Sequence, residues 1–461
     1  MKKAIKKGLA VILAMAMAAM LLPMTAVLAD TAVSEGAVIH LSDPDPAASG
    51  EGWSYQDQVY TIEADATVTV TGDNQQPEAS NRRIVADGTG ISITLDNVSV
   101  TGLDANQSAM YLNNGSNVTV TLVGTNILTG GVSGIGDSQG SAGIRNTEST
   151  VRINGTGSLT ATGSGGGAGI GGGASNNTNS NNQAGTLVID SGTVTANGGS
   201  NAAGIGGAQG TSMTGPVTIN GGIVNANGGN GAGIGGGRNA TQGATVTING
   251  GIVTATTQDD SNAAIGGGAS RGGGNVNIHG GIVIAIGGAE AAGIGAGRYS
   301  SGGQISGGSL YMNGNAVVFT SSLSNNAGSE KNTDGVVRGV LFVADQGTVY
   351  GDVKLASDLN ISDTQTLNIP EQASLTVGSG ITLDNEGEIT GQGKITITGT
   401  GEIIGAGTIA YSITLNDFGN VAPTGIMDIS KTMQLMLAFI LISIMLWGYI
   451  LIRKTTKRKA I

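Results

Sequence analysis

Few side chains in this sequence are equipped for chemistry, and their spacing argues against a reaction. The two histidines, His40 and His279, lie far apart, and there is no cysteine. Thiolate catalysis, thiolate metal sites and disulfides are therefore excluded. No H-E-x-x-H occurs, and no G-x-S-x-G sits between a strand and a helix pattern, so neither a zinc helix nor a nucleophile elbow is indicated. Asp259, Asp260 and Glu290 fall in loops, where a solvated acid is the plain reading. G-x-G-x-x-G matches near Gly165 open no amphipathic helix, and no glycine precedes Lys-Ser or Lys-Thr, which argues against nucleotide binding. The calcium nonapeptide needs an aspartate after its glycines, and Ala-Gly-Ile-Gly-Gly-Gly supplies none. No cofactor is expected; the acidic surface leaves calcium open, although no motif indicates it. What remains is binding chemistry. Arg238, Arg271 and Arg298, with Tyr299, follow glycine-rich segments, and guanidinium groups suit the hydroxyl-rich or acidic groups of a polymer.

The element that must position them is a repeat. Its cleanest copies read V-T-I-N-G-G-I-V-x-A-x-G-G-x-x-x-A-G-I-G-G-G, from about Thr150 to Gly297. Aligning Leu95, Leu122, Ile153, Ile189, Ile219, Ile248, Ile278 and Met312 gives a unit of roughly thirty residues. Its length varies only in Gly/Ser/Asn-rich loops. Each unit holds three short strand-like pieces, so a three-sided right-handed parallel β-helix is expected, one rung per repeat. Period-two spacing turns Leu128, Leu159, Val194, Val224, Val253, Val283 and Val317 inward, followed two residues later by Ala161, Ala196, Ala226, Ala255, Ala285 and Phe319. In the third piece Ile144, Ile170, Ile205, Ile234, Ile265 and Ile294 are inward, each two residues after an alanine. Asn154, Asp190, Asn220, Asn249, His279 and Asn313 end the first piece, where side chains that tolerate tight turns can stack as a ladder. His279 reads as a ladder member. Glycines flank each isoleucine of the third piece, among them Gly204, Gly206, Gly233 and Gly235. They suggest either a bare outward stripe on which a polymer could lie, edged by the arginines, or backbone that needs glycine for unusual angles or close approach.

Charge and hydropathy give the ends. Of 21 basic residues, ten lie in 1–7 and 431–459, leaving 11 against 32 acids, a net −21 between them. Such a surface repels phosphate backbones, so no nucleic-acid partner is expected. Residues 1–29 have the layout of a signal peptide: lysines, an apolar run, Pro23 and a small-residue site at Ala29. Residues 30–81, with Trp53, Tyr55 and Tyr60, read as an N-terminal cap. The array spans 82–320, a polar loop 321–339, and a continuation and cap 340–415. Residues 416–432 are a linker. Residues 433–452 are apolar and uncharged, and a basic tail fills 453–461; together they predict a membrane helix with a cytoplasmic tail. In the linker, Pro423, Thr424 and Gly425 resemble the sortase sorting signals of Gram-positive bacteria. The usual motif separates proline from threonine by one residue, and here they adjoin. Two outcomes stay open: Thr424 joined to the cell wall, or the helix as a permanent anchor.

The repeated Asn-Gly-Gly-Ile-Val-x-Ala and Ala-Gly-Ile-Gly-Gly-Gly, over roughly Ile91 to Val317, resemble bacterial surface proteins whose β-helical carbohydrate-binding domain shares the pectate-lyase fold. The resemblance covers about half of the chain and implies contact with a polysaccharide, a host glycan or a cell-wall glycan. Pectate lyases gather calcium-binding aspartates and a basic catalyst on one face, and no such cluster is legible here. The expected function is a non-enzymatic, surface-anchored β-solenoid that binds polysaccharide or acts as an adhesin. The alternatives are a polysaccharide lyase or glycoside hydrolase of the same fold, or a ligand-free stalk.

Overall fold

The computed structural model describes residues 37–75, 80–132, 140–173, 183–213, 215–240, 243–298, 305–325, 328 and 330–417. The signal sequence, the Pro423–Thr424–Gly425 motif, the apolar segment 433–452 and the basic tail lie outside them, as does Tyr299. The described residues form strands and turns with no helix, and none of their elements is a helix long and apolar enough to cross a membrane. The chain divides into two units, Met1–Ala356 and Ser357–Ile461.

In the first unit, each circuit of the chain lays down three strands that pair in parallel with those of the circuits before and after. Valine and isoleucine alternate with threonine and asparagine, which puts β-branched side chains on an inward face and hydroxyls and amides outside. The first face stacks Thr150–Gly155, Thr186–Ile189, Val217–Ile219, Val246–Ile248 and Asn275–Ile278. The second stacks Ser158–Thr162, Thr193–Asn197, Ile223–Gly228, Ile252–Thr257 and Ile282–Ile286. The third stacks two-residue strands from Ile144–Arg145 to Ile294–Gly295. Like residues fall into register: Ile153, Ile189, Ile219, Ile248, Ile278 and Met312 on the first face, and the six isoleucines on the third. These side chains join one apolar core running from Ile39 to Leu341. Each fully buried Val, Leu or Ile contributes about 1.5–3 kcal/mol.

Register at both ends of the array differs from the sequence alignment. Ile153 pairs with Val120, leaving Leu122 opposite Gly155. On the second face Leu159 pairs with Asn126, and Leu128 with Ala161. Asn126 thus takes an inward position. It is fully buried and hydrogen-bonds three backbone groups: Oδ1 accepts from Val98 N (2.9 Å), and Nδ2 donates to Val123 O (3.0 Å) and Ser158 O (3.1 Å). A buried amide satisfied by backbone can stand where the apolar pattern calls for leucine. At the other end Val318, not Val317, pairs with Val283, and Thr320, not Phe319, with Ala285. One extra residue at the corner of Ser309–Thr320 shifts the following side chains to opposite faces. Phe319 consequently points out and stacks on Phe342, ring centroids 4.8 Å apart.

The start of the first unit is already a rung: Thr67–Asp73 pairs in parallel with Ile91–Val100, and Val59–Glu63 with Arg83–Asp87. Trp53 and Tyr60 are buried in its core, and Tyr55 packs on Tyr60 at 4.5 Å. Arg82 is buried beside them, its Nε donating to Tyr55 Oη (3.1 Å) and Nη1 to the Leu41 and Asp43 carbonyls. Burial raises the Tyr60 phenol to about 12 despite the nearby guanidinium. The polar stretch 321–339 is not all loop, since a strand runs over Asn332–Val343. Past it the parallel order is interrupted, because Gln346–Tyr350 folds back antiparallel on that strand.

In the second unit the described residues form three parallel stacks with a tighter circuit. Leu375, Ile395 and Leu415 fall in register at intervals of 20 residues, as do Leu383 and Ile403. Their strands alternate buried and part-exposed residues, the pattern of a solenoid with one side inward.

Candidate functional site

Outside the core, the three faces of the array differ. On the third face the glycines form no bare stripe: Gly169, Gly171, Gly204, Gly206, Gly233, Gly235, Gly293 and Gly295 are all buried. Gly171, Gly206, Gly235, Gly266 and Gly295 hold φ between +133° and +147°, a region closed to residues with a side chain. A Cβ on Gly206 would strike the Gly235 carbonyl oxygen, and one on Gly204 would strike the Asn227 backbone of the second face. Of the two readings of these glycines, unusual angles and close approach hold, and exposure does not.

The first face is the open one. Asn220, Asn249, His279 and Asn313 are exposed, with Thr218, Thr247 and Asn277 half-buried in the next outward column. The ladder exists. Asn249 Nδ2 donates to Asn220 Oδ1 and Asn220 Nδ2 to Asp190 Oδ1, both at 2.8 Å. Asp190 ends it in an ion pair with Arg152, at 2.6 Å from Nε and 3.0 Å from Nη2, the two-pronged geometry that holds both planes fixed. The amides of Asn249 and Asn220 therefore donate in one direction along the stack. At the other end Tyr311, 37% exposed, meets the edge of His279 at 5.8 Å and accepts from Asn313 Nδ2 at 3.1 Å. The face thus offers hydroxyls and amides at the rung spacing of about 4.8 Å, closed by an aromatic ring. A second ladder joins Asn197, Asn227 and Thr256 at 2.9 and 2.8 Å.

Arg238, Arg271 and Arg298 sit on turns leading from the third face back into the first. Arg238 and Arg298 each lie three residues past an in-register glycine, Gly235 and Gly295, so they share one column two rungs apart, with Ala269 between. Arg271 lies two residues farther along its turn. Arg238 Nη1 donates to Asn201 Oδ1 at 3.1 Å, and Arg298 Nη1 pairs with Glu290 Oε2 at 2.8 Å. Asp259 Oδ1 accepts from Ser261 N and Asn262 Nδ2, which assigns it to the turn. Among the described residues no three His, Asp or Glu come together in a way that could hold a metal ion. Lys331 is buried, donating to the carbonyls of Gly274 (2.8 Å) and Gly307 (3.2 Å); burial lowers its amine to about 7.

Five segments, 151–174, 187–209, 217–238, 246–269 and 276–298, match the family model described as Beta helix repeat. Their first residues, Val151, Leu187, Val217, Val246 and Val276, form one register column of the first face. Each match is therefore one circuit of the solenoid. The chain is a parallel β-helix protein. No curated protein and no solved structure matches it. In this parallel β-helix the outward first face, with Thr218, Thr247, Asn277 and Tyr311, was not singled out from sequence. Its signal was present as the residues alternating with the inward column.

Proposed function

We propose that this parallel β-helix is a non-enzymatic module, displayed outside the cell, that binds a polysaccharide of host, plant or cell-wall origin along its first face. The observation that supports this reading is the exposed row Asn220, Asn249, His279 and Asn313, tied at Asn220 to the half-buried Asp190, beside Thr218, Thr247, Asn277 and Tyr311. Sugars are recognised by planar amide and hydroxyl groups that donate and accept at once, together with aromatic surface. The ladder fixes its amides in advance, which lowers the entropy lost on binding. Arg238, Arg271 and Arg298, on the turns entering this face, act as edge contacts with Tyr299. The N-terminal segment 1–29 directs export. The apolar segment 433–452 holds the chain at the membrane, or Thr424 passes it to the cell wall.

The test is retention of the full chain on a panel of immobilised plant, host and cell-wall glycans. Retention on at least one glycan is expected, reduced about tenfold in affinity by Tyr311→Ala combined with Asn249→Ala, and more weakly by Arg238→Ala and Arg298→Ala. Failure to bind any glycan, or binding indifferent to both sets of changes, overturns the reading.

A further inference from the structure

The third face changes character along its length. In register outward from the core run Thr61, Val85, Tyr111, Arg145 and then the glycine column beginning at Gly171. Below the glycines the backbone is ordinary, and side chains return. Two residues before Val85 on the same strand is Arg83, which also points outward and sits beside Ala109 of the next rung, one residue before the Ile84–Met110 pair. The diagonal from Arg83 to Tyr111 is one rung up and two residues along, about 7–8 Å between backbones and within reach of long side chains. Arg145 reaches down from the rung above, its Cζ 5.1 Å from the centre of the Tyr111 ring, with Nε donating to Thr147 Oγ1 at 3.2 Å.

Arg83 is the anomaly. It is half-buried, its Nε is enclosed without a hydrogen-bond partner, and burial lowers its basicity, with Tyr111 acting in the opposite sense. Among the described residues no carboxylate pairs with it. Asp104 is engaged by Asn81, which donates to it at 2.7 Å and accepts from its backbone at 2.9 Å. A guanidinium partly withdrawn from water and left without a counter-ion destabilises the fold. The chain keeps it on a surface whose net charge of −21 between the termini gives nonspecific anions no welcome.

We propose that Arg83, Tyr111 and Arg145 form an oxyanion-binding site, distinct from the first face, that takes a singly charged sulfate or carboxylate carried on a polysaccharide. The terminal Nη atoms of Arg83 take no hydrogen bond among the described residues, and they are the groups that would fork onto two oxygens of such an anion. Tyr111 and Arg145 wall the site on the next two rungs. The anion site does not depend on the first-face reading, whereas the polysaccharide as its carrier rests on the proposed function.

The test uses the full chain with polyglutamate and with three dextrans on one backbone: dextran sulfate, carboxymethyl-dextran and unmodified dextran. Thermal unfolding is followed with each, and affinity is measured for the wild type, Arg83→Met and Arg83→Gln. Expected is a rise in Tm with at least one charged dextran and none with the neutral one. The Arg83 variants should bind the charged polymer about tenfold more weakly or worse, while their ligand-free Tm equals or exceeds that of the wild type. Which charged dextran acts distinguishes sulfate from carboxylate. Equal binding of neutral dextran, unchanged binding by both folded Arg83 variants, or a response only to an acidic polypeptide such as polyglutamate overturns the site. Loss of glycan retention by first-face variants with this response intact separates the two proposals.

Discussion

Within a single circuit, Val217–Ile219 turns Thr218 toward solvent with Asn220 just beyond it, whereas Ile234–Gly235 lies buried, its glycine at φ +145° against the next rung's backbone. The same thirty-odd residues thus make one face from side chains and another from backbone alone. On the first face the inward residues supply stability and the outward ones are free to vary, since a strand's two sides are independent. On the third face there is no such freedom. The left-handed backbone and the close carbonyls leave no volume for a Cβ, so stability takes both sides of the strand. Binding chemistry is accordingly available on the first face of the array. On the third it appears only below Gly171, where Tyr111 and Arg145 return.

This contrast is easiest to break at a buried glycine. Gly235→Val should cost at least about 3 kcal/mol, from the unfavourable φ together with overpacking. Denaturant unfolding would show it as a large drop in midpoint, and a change under 1 kcal/mol would mean that the third face tolerates side chains after all. At the corner between the first two faces, Asn126→Ala should cost about 2–3 kcal/mol, because three backbone partners lose their bonds in a closed space.

Lys331 sharpens the comparison at the end of the array. Its amine is near 7 folded and 10.5 unfolded, so between these values the unfolded chain binds more protons and stability rises with pH. Below pH 7 both states carry the charge, and the burial penalty is present in full. Lys331→Met should therefore raise stability by a few kcal/mol at neutral pH and flatten the pH dependence between 7 and 10.5. A variant with the wild-type slope would refute that assignment. The smallest stability effect belongs to the first face. Asn220→Ala with Asn249→Ala should cost about 1 kcal/mol or less, since the released partners reach water, while glycan retention falls far more. Equal loss of stability and binding would make the ladder a structural device.

Much of this was legible because the repeat is long and its inward residues recur. The isoleucine and valine columns from Ile153 to Ile278 could be aligned by eye, and the family match divides the chain at the same column. Legibility failed where one rule competed with another. Asn126 reads as a turn residue and is a core residue, because its amide satisfies backbone groups that a leucine would leave unpaired. Val317 and Phe319 look like the next valine and the next large core residue, yet one additional corner residue exchanges inside for outside. Of the candidate site residues, Arg238 and Arg298 do share a column, while Arg271 is offset from them. Arg83 was hidden because an unpaired charge cannot be recognised without knowing what surrounds it.

By itself the sequence determined that this chain winds into parallel rungs of about thirty residues, since only stacking buries a hydrophobic row that recurs at that interval. It also determined which column fills the core, because alternation in a strand has only two phases. Tertiary structure alone decided which outward row meets solvent and which is closed. Glycine permits either a bare exposed strand or a left-handed one pressed against its neighbour, and the choice is made by carbonyl oxygens contributed from another rung.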